Sequence, residues 1–181
     1  MALGTAAAVC LLAAAQIARG AEQQNRGQLS AHDYKFVQEA AEGGMTEVAL
    51  GQLAADKASD PAVKEFGQRM AQDHSKANQE LMQIASQKGA ALPTSTTSAE
   101  QKEVDRLKGL SGTDFDKAYM KRMVKDHKKD VKEFENAAKK AEDPDLKAFA
   151  VKTVPVLQEH LQMAESVHAK VAGEQKQTSA Q

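Results

Sequence analysis

The sequence predicts an all-helical protein, a bundle of four long helices, on three observations. Its 181 residues are 41% hydrophobic but only 4% aromatic, with no tryptophan and 33 alanines. Long helices favour that mixture, whereas β-sandwiches need β-branched and aromatic residues. Apolar residues recur at helical spacing over four long stretches, and Asp60-Pro61 and Asp143-Pro144 interrupt them twice. Each step sets an N-cap carboxylate before a proline suited to the first helical position.

Residues 1–20 read as an export signal. An apolar run over residues 2–18, broken only by Gly4, Thr5 and Gln16, ends in Ala18-Arg19-Gly20, which suits cleavage before Ala21. No basic residue precedes the run, and an uncleaved inner-membrane anchor is the alternative. Cleavage removes Cys10, the one cysteine, so the mature chain has neither disulfide nor thiolate chemistry. Its compartment is the periplasm or the outer-membrane surface, with no integral span left.

Residues 21–30 are polar and read as a flexible leader. Ser30, three residues before Asp33, starts the first helix, which runs to about Ala58. The second follows Asp60-Pro61 and ends at Gly89, with Pro93 beyond. Residues 89–113 form a long Thr/Ser-rich connection holding a short helix capped by Ser98. A third long helix extends from about Asp114 to Lys140, and a fourth from Pro144 to about Ala172, before Gly173. Residues 174–181 read as a disordered tail. Two tight turns flanking one long link suit ferritin-like connectivity over residues 31–173, with a simple up-down-up-down bundle as the alternative. Pro155 predicts a kink in the fourth helix. Gly43-Gly44 predicts either close packing or a local break in the first.

Lysine and arginine number 24 against 25 acids, a net charge of −1. That leaves no basic excess for a phosphate backbone and excludes nucleic acid as a natural partner.

Each long helix carries one ionisable residue in the middle of its apolar stripe: Glu47, His74, His127 and His160. Glu47 lies 14 residues before Pro61 and His74 13 after it, while His127 lies 17 before Pro144 and His160 16 after it. At 1.5 Å per residue, each pair is level, roughly 20 Å and 25 Å from its own turn. Three imidazoles and a carboxylate meeting inside an apolar bundle form a ligand set for one divalent transition ion, whether zinc, copper, nickel or iron. The plainer reading is a set of hydrogen-bonded core histidines, with Glu47 bonded to His74 or His160 and no metal.

Arg69-Met70-Ala71-Gln72-Asp73-His74 recurs as Arg122-Met123-Val124-Lys125-Asp126-His127, 53 positions on, while the two Asp-Pro segments stand 83 apart. Asp73, Asp126 and Glu159 each precede a stripe histidine, where they can brace an imidazole on an adjacent helix. The alternative for Asp73 and Asp126 is surface pairing with Arg69 and Arg122, four residues earlier. His32 and His168 fall off the stripes and read as solvated. The methionines read as core filling rather than copper ligands.

The segment from Phe36 through Gly43-Gly44-Met45, the Asp73-His74 and Asp126-His127 dipeptides, Phe115-Asp116-Lys117-Ala118-Tyr119-Met120 and Glu159-His160-Leu161 resemble the exported bacterial domain-of-unknown-function 4142 family, over residues 31–171. The resemblance implies a ferritin-like bundle of the periplasm or outer membrane with no established reaction. Di-iron members of the wider ferritin-like group place a glutamate three residues before histidine. Here those positions hold Ala71, Val124 and Leu157, which favours a single-metal, histidine-rich site.

The expected function is therefore an exported metal-binding bundle for storage, sensing or structural reinforcement. The alternatives are a metal-free module that binds an envelope component or a second copy, and a mononuclear metalloenzyme with one open coordination position. No nucleophile elbow, phosphate loop or zinc-protease helix is present. Buried neutral histidines also predict acid sensitivity below about pH 6.5.

Overall fold

The computed structural model describes residue 20 and residues 23–178, the side chains of 174–178 excepted. The export signal expected over residues 1–20 thus lies almost wholly outside the described residues. From Ala31 onward the chain forms α1 (Ala31–Lys57), α2 (Pro61–Gln87), α3 (Ser98–Lys108), α4 (Gly112–Lys140) and α5 (Pro144–Thr178). Among the described residues no helix is long and apolar enough to cross a membrane.

The caps explain the boundaries. Ser30 accepts from the Asp33 amide at 3.1 Å, Asp60 from Ala62 at 2.7 Å, and Asp143 from Leu146 at 3.1 Å. Four details differ from the sequence expectation. Thr97 rather than Ser98 caps α3, accepting from Glu100 at 3.2 Å, because its hydroxyl is the one placed three residues before a free amide. α4 begins at Gly112 rather than Asp114, without a side-chain cap. α5 holds Pro155 inside it, as expected, but runs past Gly173 to Thr178, so the tail expected from 174 is helical to 178; Gly173 is not among the glycines in the left-handed region that stops a helix. The leader expected to be flexible is instead bound in part. Leu29 is 3% exposed, Gln28 donates to the Lys88 carbonyl at 2.9 Å, and Ala91 donates to the Asn25 carbonyl at 2.7 Å. These bonds serve backbone groups at and beyond the α2 C-terminus, a long-range pairing that no local periodicity encodes. There the chain turns away through Gly89 at φ +67°.

α1 packs chiefly on α2 and α4 on α5, while α2 meets α5 and α1 meets α4. Two buried carboxylates tie the hairpins together. Asp116, in the second turn of α4, accepts from the Ser59 and Asp60 amides at 3.0 and 2.8 Å. Asp33, in the first turn of α1, accepts from the Glu142 and Asp143 amides at 3.0 and 2.8 Å. Each hairpin's turn is thus held by the start of the other hairpin, so the two turns lie at opposite ends. The connection from Lys88 to Ser111 must then travel the length of the bundle, with α3 lying against α1 and α4. Asp116→Ala, which strands two amides, is expected to lower the unfolding free energy by about 2 kcal/mol; a urea titration showing an unchanged midpoint would contradict the clasp.

The two sequence repeats acquire distinct meanings. Asp33 and Asp116, like the Asp-Pro steps, stand 83 positions apart, so that offset relates hairpin to hairpin. The 53-position repeat relates α2 to α4, which sit at opposite corners of the bundle.

Helices α1 and α2 come into close backbone contact at paired glycines. A Cβ on Gly51 would lie 2.7 Å from the Gly67 carbonyl oxygen, and one on Gly67 would lie 2.8 Å from that of Gly51. Gly43-Gly44 leaves α1 unbroken. The core divides into two apolar clusters: one around Phe36, Leu81, Phe134, Phe149 and Leu157, the other around Leu50, Phe66, Met70, Phe115, Tyr119 and Met123. Between them, at mid-bundle, lies a layer of buried polar residues.

Candidate metal centre

That layer brings together Glu47 of α1, His74 of α2, His127 of α4 and His160 of α5, which are 4%, 7%, 0% and 1% exposed. The three imidazoles form a nearly equilateral triangle, with ring centroids 5.6 Å (74 to 127), 5.5 Å (74 to 160) and 5.4 Å (127 to 160) apart. One nitrogen from each ring lies within 4.8 Å of one from each of the others. The group could hold a metal ion.

Each ring has one nitrogen engaged by the protein. His74 Nδ1 lies 3.0 Å from Glu47 Oε2, His127 Nδ1 lies 3.0 Å from the Met123 carbonyl oxygen, and His160 Nε2 lies 3.0 Å from Asp73 Oδ2. The Met123 carbonyl can only accept, and Asp73, held below its usual value by His160 and Arg69 against the opposing effect of burial, accepts too, so the His127 and His160 ring protons sit on the engaged nitrogens; Glu47 accepts from His74 Nδ1 when it is ionised. The other nitrogens, His74 Nε2, His127 Nε2 and His160 Nδ1, are buried without a hydrogen-bond partner. Three further side-chain atoms share that condition: Glu47 Oε1, the Tyr119 hydroxyl and, away from this layer, Arg26 Nε.

Of the acids expected to brace the rings, Asp73 contacts an imidazole on another helix, that of His160. Arg69 joins it to Glu159, lying 3.3 Å from Asp73 and 2.8 Å from Glu159. Glu159 therefore stands two steps from the ring. Asp126 pairs with Arg122, as the ion-pair alternative has it. Glu47 contacts the engaged edges of two rings, at 3.0 Å from His74 Nδ1 and 3.6 Å from His127 Nδ1. His32 is exposed beside Asp33, and neither it nor His168 belongs to the cluster.

Asp130 escaped the sequence reading. Its carboxylate, a Glu47 oxygen and a His127 nitrogen lie within 4.8 Å of one another. Two signals were available: Asp130 is three residues after His127, on the same helix face, and 83 positions after Glu47. A cavity of about 40 Å³ borders His74, His160, Glu47 and Asp130, with Gly43 and Thr153 among its other walls.

Burial dominates the protonation of the layer. It pulls His74 down to about 4, His127 to about 3 and His160 to about 4, with mutual repulsion adding to the effect at His127. It pushes Glu47 up to about 8, helped by the Asp126 charge, and Asp130 up to about 10, helped by Glu47 and Asp126. At neutral pH the three rings are uncharged, so their free nitrogens carry lone pairs.

A family model described as "Domain of unknown function (DUF4142)" matches residues 18–167. No curated protein matches the chain. Among solved structures, the crystal structure of a DUF305 fragment from Deinococcus radiodurans superposes with a TM-score of 0.69 at 13% identity. The match covers 78% of this chain and 98% of that one. At that identity the likeness is one of fold.

Proposed function

The chain belongs to the family described as domain of unknown function (DUF4142), whose description names no activity, and from that premise we propose that it is an exported, ferritin-like metal-binding bundle. In this reading His74, His127 and His160 hold one divalent transition ion. The ion is stored, sensed or used to reinforce the bundle, and no catalysis is required.

One observation carries the proposal: every imidazole is anchored through one nitrogen and leaves the other buried without a partner. An unsatisfied buried polar atom costs about 1–3 kcal/mol, so three in one layer are a standing penalty that a shared cation removes at once. Metal-bound histidines have this same arrangement, with the second ring nitrogen donating to a carboxylate or backbone carbonyl that fixes tautomer and orientation. Glu47 and Asp73 then act through His74 and His160. Three neutral imidazoles suit zinc, copper, nickel or iron, and the adjoining cavity leaves room for water at a fourth position.

Elemental analysis of the purified mature chain tests this. About one equivalent of transition metal per chain is expected, removable by a chelator and absent from His127→Ala. Wild-type protein that neither carries nor takes up any of the four metals would overturn the reading in favour of a metal-free interaction module.

A further inference from the structure

We propose that Glu47 and Asp130 form a second cation site beside the imidazole triangle, one that takes a hard divalent cation of the manganese, magnesium or calcium class. The two acids come from α1 and α4, which pack against each other. A Glu47 oxygen and an Asp130 oxygen lie within 4.8 Å of each other. Glu47 is only 4% exposed, its Oε1 accepts from no amide, amine or hydroxyl, and a proton on either carboxyl would bridge Glu47 to Asp130. Its other oxygen, Oε2, is engaged by His74 Nδ1 at 3.0 Å.

Among the described residues neither carboxylate forms an ion pair with a lysine or arginine; Glu47 meets only the neutral imidazoles of His74 and His127. The nearby cations are committed elsewhere: Arg122 to Glu100 and Asp126, and Lys129 to Glu133. Asp126 adds a third negative charge to the neighbourhood and helps raise both carboxyls. The buried Glu47 and the half-buried Asp130 facing it must take up protons or hold a cation, because two bare charges at that separation repel strongly in a low-dielectric interior.

The donor set separates this site from the first. His127 Nδ1 faces Glu47 Oε1 at 3.6 Å, but it is hydrogen-bonded to the Met123 carbonyl at 3.0 Å, so its proton occupies that edge and no nitrogen lone pair points to the acids. What remains is oxygen, which favours manganese, magnesium or calcium over the softer metals suited to imidazole. Glu47 and Asp130 both border the cavity of about 40 Å³, with Glu39 and Asn78 also on its wall. That space lets a cation enter with part of its water shell, as these ions require. Glu47 thereby joins the two sites, one oxygen orienting His74 and the other meeting the second ion.

The test is a manganese titration of full-length mature protein already loaded with zinc, with free manganese read by electron paramagnetic resonance. One manganese per chain is expected in addition to the zinc. Asp130→Asn is expected to weaken manganese at least tenfold while zinc content and helical circular dichroism stay unchanged. Glu47→Gln gives a second route to the same manganese loss should Asp130→Asn fold poorly. Equal manganese uptake by wild type and both variants, or none by any, overturns the site and leaves the acids protonated. A chain that binds no zinc but loses its manganese in Asp130→Asn keeps this inference while removing the imidazole reading.

Discussion

Zinc added to metal-free protein at pH 7, at about a thousand times its dissociation constant, is expected to raise the melting temperature by about 10 °C. A ligand bound only by the folded state contributes about 4 kcal/mol at that ratio, and a chain of this size shifts by roughly 2–4 °C per kcal/mol. The gain is concentrated in one layer, where the ion would meet three lone pairs that lack partners. His127→Ala removes the most deeply buried donor, 0% exposed, and is expected to abolish the zinc-induced shift. It also leaves a small cavity beside Phe66, whose ring centroid lies 6.4 Å from that of His127. The variant's own stability should therefore be compared in the presence of chelator, so that packing loss and metal loss are measured apart. Calorimetry showing the same melting temperature with and without zinc, copper, nickel or iron would sink the metal-binding reading.

Metal-free protein is expected to be most stable near pH 6.5 and to weaken on both sides. Imidazoles ordinarily protonate near 6.5, but the fold holds His74, His127 and His160 neutral down to about 4, 3 and 4. Between those values the unfolded chain binds more protons, so acid drives unfolding. Glu47 and Asp130 act in the opposite sense. Their folded values of about 8 and 10 lie above the ordinary 4.5 and 3.8, so the stability they contribute is complete in acid and is lost as pH rises through 8 and 10. From 4.5 to 6.5 three imidazoles outweigh two carboxyls by one proton, and stability climbs with pH by about 1 kcal/mol per unit. Above 6.5 the imidazoles no longer differ between states, and the carboxyls alone pull stability down. The groups facing this layer, Asp73 with Arg69 at His160 and Asp126 with Arg122 near Glu47, are paired and change its balance less. Urea midpoints measured from pH 3 to pH 9 give the profile directly. A flat line would mean that water reaches these side chains.

Much of the site was legible because helices turn spacing into position. Glu47, His74, His127 and His160 share a level because each lies a matched distance from an Asp-Pro turn, and the turns are written in the chain. What each of them touches was not legible. Asp73 and Asp126 occupy equivalent places in one repeated pattern, yet Asp73 reaches the His160 imidazole while Asp126 pairs with Arg122. The two acids sit on diagonal helices with different neighbours, and a local pattern holds no record of what stands across a groove. Asp130 escaped for a related reason: a polar residue among Lys128, Lys129 and Lys132 looks like part of a solvated face until α1 is packed against it.

Alanine content, helical periodicity and the two Asp-Pro steps by themselves determined an all-helical chain, its two hairpins and the long link between them, since these depend on interactions within a few residues. Only the tertiary structure decided that the turns lie at opposite ends, through Asp33 and Asp116 reaching the far hairpin. It alone decided which nitrogen of each imidazole is engaged and which is left bare. Ring orientation is set by partners that include side chains on other helices, and such partners meet only when the bundle closes.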